Sequence, residues 1–187
     1  AWLVLAFFAS IPLYYSGHFL TYSDALFDAV SGLTTTGASV LVDLDHLSNA
    51  DNMFRFIMHF LGGLGLIVVA LTVGLLGRQS SASLYSSEAR SEHVVPNVVQ
   101  TARFILRITL IVVAIATVLV SVVLLTIGME PARAWTQALW LSISGFLTGG
   151  FAPMAQSVLY YHCAPLEFIL MLLMIMGSIS FVLHSEL

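Results

Sequence analysis

Phe56 to Leu76 is a run of 21 residues without a formal charge, and Ile108 to Ile127 is a second uncharged run. As a helix, 21 residues rise about 32 Å, enough for a hydrocarbon layer of about 30 Å. Only helices and closed barrels satisfy every backbone polar group in lipid, and barrel strands need just ~9–11 residues. These runs therefore predict an all-α integral membrane protein. Composition agrees: 59% of the residues are hydrophobic and 9% charged, against roughly 25% charged in soluble domains. A lone cysteine, Cys163, excludes an intramolecular disulfide and a cysteine-based metal site.

Between the spans the chain is organised by short polar interruptions. Trp2 to Tyr15 is apolar with Pro12 near its end, about 21 Å as a helix, which reads as a spanning helix with its beginning missing. Thr21 followed by Asp24 is a capping signal for a helix over about Tyr22 to Leu33. After it comes Thr34-Thr35-Thr36-Gly37-Ala38-Ser39, too short and polar to span. Irregular backbone at membrane depth is tolerated where protein buries it or where it lines a wet cavity. Consecutive carbonyls there can face a bare cation, and Gly37 can take a positive φ. The carbonyl end of the preceding helix adds a negative pole. Asp28 on that helix reads as a packing acid that also adds negative potential. Gly62, Gly63 and Gly65 read as close-packing positions, and His59 as a packed rather than a ligating histidine.

The chain then changes character. Arg78 to Arg107 is serine-rich and charged, with Pro96 as a breaker. It holds four of the six basic residues, Arg78, Arg90, Arg103 and Arg107, which places residues 78–107 in the cytoplasm. Arg55 and Arg133 fall on the opposite side, with Asp24, Asp28, Asp43, Asp45, Asp51, Glu130 and Glu167. An acidic outer face concentrates cations. After the second full span, Gly128 to Pro131 is a stop. Ala132 to Ser144 then predicts a short helix, Gly145 to Phe151 a glycine loop, and Leu166 to His184 a last apolar helix with Gly177, Ser178 and Ser180 on its small face.

The order of span, short helix, Gly-Thr loop and span thus occurs twice. Thr36-Gly37 and Thr148-Gly149 stand 112 residues apart. The expected organisation is residues 1–77 as a first helix–pore-loop–helix repeat, 78–98 as a cytoplasmic connection and 99–187 as a second repeat. Ser142 or Ser144 with His162 or His184 offers no Gly-x-Ser-Gly pattern and no orienting acid, so enzyme chemistry is not expected. His18, His46, His93 and Cys163 have no convergent partners and read as structural.

Phe27 to Ala38 resembles the first pore loop of the Trk/Ktr/HKT cation transporters, and His59 to Gly65 resembles the inner helix that follows it. Glu88 to Pro96 and Thr148 to Phe151 resemble the connection and second loop of the bacterial Trk branch. The resemblance implies two of four repeats of a pseudo-fourfold, potassium-channel-like pore, completed by missing repeats or a second chain. It implies homodimers gated by a cytosolic nucleotide-binding regulatory subunit, in a multi-pass protein of the inner (plasma) membrane. Backbone carbonyls of Thr35, Thr36 and Gly37, with those of Leu147, Thr148 and Gly149, would bind K+. Glycine in the first loop goes with K+ in this family and serine with Na+, so Gly37 points to K+. No organic cofactor and no nucleic-acid partner are expected. The alternative to transport is a non-conducting structural or sensor subunit.

Overall fold

The computed structural model describes residues 2–79 and 91–178. They form six α-helices: α1 (Trp2–Tyr15), α2 (Tyr22–Leu33), α3 (Asn49–Gln79), α4 (Ser91–Thr126), α5 (Pro131–Phe146) and α6 (Ala164–Ser178), with a 3-10 turn at Ser157–Tyr161. No strand occurs among the described residues. Two units of the same design result. α2 packs against α1 and α3, and α5 packs against α4 and α6.

Local chemistry sets the boundaries of the short helices. At α2, Asp24 N donates to Thr21 Oγ1 (3.2 Å) while Thr21 N donates to Asp24 Oδ2 (3.0 Å), a reciprocal capping box that fixes the start at Tyr22. Pro131 occupies the first position of α5, where its missing N–H costs nothing and its fixed φ suits a helix. Gly128, at φ +87°, ends α4 in a left-handed conformation that disfavours a Cβ. α5 extends one residue earlier and two later than the sequence predicts.

The long connection also differs from expectation. α4 is already running at Ser91, so Pro96 lies inside its second turn and breaks nothing. Residues 80–90 of the expected 78–98 connection, including Glu88 and Arg90, lie outside the described residues, as do Ser180 and His184. Gln100–Thr126 is long and apolar enough to cross a membrane.

Each unit has its own core. Ala6, Leu13, Ala25, Ala29, Leu33 and Met58 fill the first, and Val120, Leu124, Ala138, Leu141, Leu166 and Leu170 the second. On α4, Ile111, Ile115, Leu119 and Val122 are exposed while Val113, Ala116, Val120 and Leu124 are buried. Lipid tails can solvate such an apolar face as well as a protein core does, so an uncharged helix of this kind can bury one face and leave the other apolar. Two hydroxyls inside the span are closed locally: Thr117 Oγ1 donates to Val113 O (2.7 Å) and Ser121 Oγ to Val118 O (2.8 Å). Between the units, Phe56 of α3 stacks on Trp140 of α5 at 5.6 Å, nearly parallel. Ala155 N donates to Asp45 Oδ1 (2.8 Å), which ties the loop between α5 and α6 to the loop between α2 and α3.

Candidate functional site: two interlocked glycine loops

α2 and α5 end in the same way. Thr34 N donates to Val30 O, Thr35 N to Gly32 O and Thr36 N to Ser31 O; in the second unit Leu147 N donates to Ile143 O, Thr148 N to Gly145 O and Gly149 N to Ser144 O. Every one of these pairs is 113 residues apart. The equivalence is therefore Thr34 with Leu147, Thr35 with Thr148, Thr36 with Gly149 and Gly37 with Gly150. Aligning the two Thr-Gly dipeptides gives 112, one residue out of register. Adjacent glycines at 149 and 150 allow either alignment in sequence, and only the closing hydrogen bonds distinguish them.

Backbone angles follow the same equivalence. φ is positive at Thr35 (53°) and Gly37 (74°), and at Thr148 (51°) and Gly150 (82°), while the residue between each pair is not. A threonine in this region is unusual, because its Cβ crowds the backbone. A backbone that alternates in handedness turns successive amides to one side and successive carbonyls to the other. Thr34 Oγ1 donates to Val30 O (2.8 Å) and shares a 2.8 Å hydrogen bond with Thr36 Oγ1, which braces the first loop.

The two loops meet. A Cβ built on Gly37 would overlap Gly149 O and lie 2.7 Å from Gly150 Cα. Thr36, Gly37 and Gly149 of the expected set thus come together with Gly150, which the sequence reading leaves out. Leu147 sits at the C-cap of α5 with its side chain buried.

Glycines also let the long helices approach. A Cβ on Gly62 of α3 would lie 2.7 Å from Leu33 Cα, and one on Gly177 of α6 would lie 2.8 Å from Phe146 C, each at the last residue of the neighbouring short helix. Gly32 faces Met58 Cβ (3.5 Å) and Gly145 faces Leu173 Cβ (3.6 Å). α3 and α6 are therefore equivalent at a spacing of 115 residues, the second unit carrying two extra residues between its short helix and the long helix that follows.

On this superposition one contact is not repeated. Arg55 Nε donates to Asp28 Oδ2 (2.7 Å), Arg55 Nη2 to Asp28 Oδ1 (3.2 Å) and Arg55 Nη1 to Asn52 Oδ1 (3.3 Å). Asp28 is 0% and Arg55 1% exposed. Ser39 Oγ, just past the first loop, donates to Asp28 Oδ1 (2.6 Å), and the Arg55 guanidinium lies 4.3 Å from the Phe151 ring centre at the end of the second loop. One ion pair thus touches both loops. The equivalent positions in the second unit, Leu141 and Leu170, are both buried in its apolar core. Asp28 packs as the sequence predicts, through a partner that the sequence reading does not assign. The available signal is that an ionisable residue buried in an apolar helix requires a counter-charge.

His59 is fully buried, and both of its ring nitrogens lack a hydrogen-bond partner among the described residues. Its ring lies against Gly149 and 5.2 Å from the Phe151 ring. In the exposed loop between α2 and α3, His46 Nδ1 contacts both Asp43 carboxylate oxygens (2.8 and 2.9 Å). That hydrogen bond holds Asp43 below and His46 above their ordinary ranges.

A polytopic helical protein with paired pore helices and interlocked glycine loops is the class that this geometry defines. A family model described as a cation transport protein, TrkH, matches residues 1–187, and the chain belongs to that family. Among its relatives, the Trk system potassium uptake protein TrkH of Halomonas elongata is 32% identical over 188 residues, covering 98% of this chain and 37% of the relative. An uncharacterized cation transporter of Methanocaldococcus jannaschii is 31% identical over 189 residues, covering 100% of this chain and 38% of the relative. The crystal structure of the potassium transporter TrkH from Vibrio parahaemolyticus matches with a TM-score of 0.73 and 29% identity, over 98% of this chain and 35% of that one. The chain spans little more than a third of the relatives it matches. The fold is accordingly that of an all-α membrane protein of the Trk type.

Proposed function

We propose that the protein containing this chain carries K+ across the membrane through a filter of backbone carbonyls, to which this chain contributes two of four loops. The observation that carries this reading is the seating of Gly37 against Gly149 and Gly150, with φ alternating in sign along both loops. Thr35, Thr36 and Gly37 would offer carbonyls from the first loop. Thr148 and Gly149, joined by Gly150 on the 113-residue register, would offer them from the second, with Leu147 as the helix cap at its base. The C-terminal poles of α2 and α5 favour a cation between them.

Two loops do not surround an ion. In this reading a third loop would meet α6 as the second loop meets α3. His59 and Gly63 of α3 lie against the second loop, and their counterparts on α6 are Met174, 44% exposed, and Ser178, also exposed. A following repeat would cover them. In this reading the acidic outer loops face the outside of the inner (plasma) membrane and the arginines of 78–107 the cytoplasm. The assembled protein would act as a homodimer with a cytosolic nucleotide-binding regulatory subunit. The H. elongata relative carries potassium uptake in its name, which agrees with K+ as the cargo.

The test is reconstitution of the full-length protein in K+-loaded liposomes with radioactive Rb+ uptake. Na+ should compete weakly with the unmodified protein and much better after Gly37→Ser. No uptake by the unmodified protein, or unchanged competition in the variant, would refute the filter.

A further inference from the structure

α3 belongs to the first unit, yet one stripe of it is occupied by the second loop. Gly63 faces the Leu147 side chain at 3.1–3.3 Å, His59 lies against Gly149, and the Arg55 guanidinium covers the Phe151 ring. The helix positions are spaced by four residues and the loop positions by two, in antiparallel order. Every other residue of the second loop, Leu147, Gly149 and Phe151, is thus seated on successive turns of α3.

The central contact explains one glycine. A Cβ on Gly149 would fall within the His59 imidazole, 2.6 Å from Cδ2 and closer still to Nε2. Gly149 does not have a positive φ, unlike Gly37 and Gly150. A left-handed φ is therefore not what demands glycine there, and the His59 ring fills the place that a Cβ would take. Thr36, its equivalent in the first loop, carries a full side chain.

We propose that α3 is the template on which the second filter loop is set, with His59 the positioning residue that fixes the height of Gly149 relative to Gly37. This rests on the filter reading above. His59 binds no ion. It acts by filling the space behind Gly149, so that the carbonyls of the two loops stay at matched depths. Arg55 extends the same register outward, because it holds Phe151 while paired to Asp28.

The experiment is a double-mutant cycle in the full-length protein, with His59→Ala, Gly149→Ala and both together. Rb+ uptake and Na+ competition are measured at matched membrane abundance, and thermal stability of the purified protein is measured alongside. Each single variant should lower the preference for K+ over Na+ about tenfold, equivalent to about 1.4 kcal/mol. The double variant should come back to within about threefold of the unmodified protein, because the methyl group added at position 149 then occupies space that the imidazole has vacated. If Gly149→Ala alone does not reach the membrane, its recovery in the His59→Ala background is the same rescue. Selectivity losses that multiply to about a hundredfold, or an unchanged ratio in His59→Ala, would overturn the proposal. Should the unmodified protein fail to select K+, the filter reading falls. Coupling in thermal stability alone would then leave α3 a packing template without a role in selectivity.

Discussion

Replacing Asp28 and Arg55 by leucine, singly and together, tests the buried pair against a control that the protein itself supplies. Asp28→Leu leaves the Arg55 charge 1% exposed with only Asn52 and the Phe151 face beside it. Arg55→Leu leaves a fully buried carboxylate with only the Ser39 hydroxyl. Breaking a buried pair by removing one partner costs about 3–5 kcal/mol, because the other charge stays uncompensated. Removing both charges is a different perturbation. Apolar replacements of buried pairs are often neutral or stabilising by about 1–4 kcal/mol. Here that gain is offset by the loss of the Arg55–Phe151 contact, worth about 2 kcal/mol when desolvated. The Ser39 hydroxyl also loses its acceptor, at about 1–3 kcal/mol. The double variant should therefore lie within about 2 kcal/mol of the unmodified protein while each single variant loses about 3–5 kcal/mol. Leu141 and Leu170, both buried in one apolar cluster at the equivalent places, are the protein's own example of this solution. The assay is denaturant-induced unfolding of the full-length protein in mixed micelles, read as a coupling energy. Single variants that cost under about 1 kcal/mol, or a double variant equal to their sum, would refute the reasoning.

Gly62→Ala and Gly177→Ala should each push a short helix away from its long neighbour, since the added methyl meets main chain at Leu33 and at Phe146 rather than a movable side chain. A loss of at least about 1–3 kcal/mol is expected for each. Half-denaturation temperatures equal to that of the unmodified protein would show that the helices do not touch there. The exposed Asp43–His46 contact should be visible by NMR titration of the imidazole. His46 is raised above its ordinary 6.5, so its contribution to the folded loop is complete below that pH and is lost as pH rises through the raised value. Asp43 is lowered below its ordinary 3.8, so its contribution is present above that pH and is lost as pH falls through the lowered value. The contact is therefore strongest between the two. Asp43→Asn should bring the His46 midpoint down toward 6.5, and an unmoved midpoint would rule the hydrogen bond out.

The sequence alone determined what depends on near neighbours and on solvent. Uncharged runs such as Phe56 to Leu76 have no stable home but a membrane-length helix, and Thr21 with Asp24 closes a cap within a single turn, so α2 was legible to the residue. That two glycine loops belong to two like units was also legible, because the pattern of span, short helix and loop repeats. Tertiary structure decided everything that depends on distance through space. The register of 113 rather than 112 rests on which carbonyls close the ends of α2 and α5, and the paired glycines at 149 and 150 conceal that choice. Asp28 and Arg55 are 27 residues apart and His59 is 90 residues from Gly149, separations over which no local pattern constrains packing. The need for a glycine at 149 originates in the ring of another helix, and a residue's own neighbours in the chain carry no record of what will fold against it.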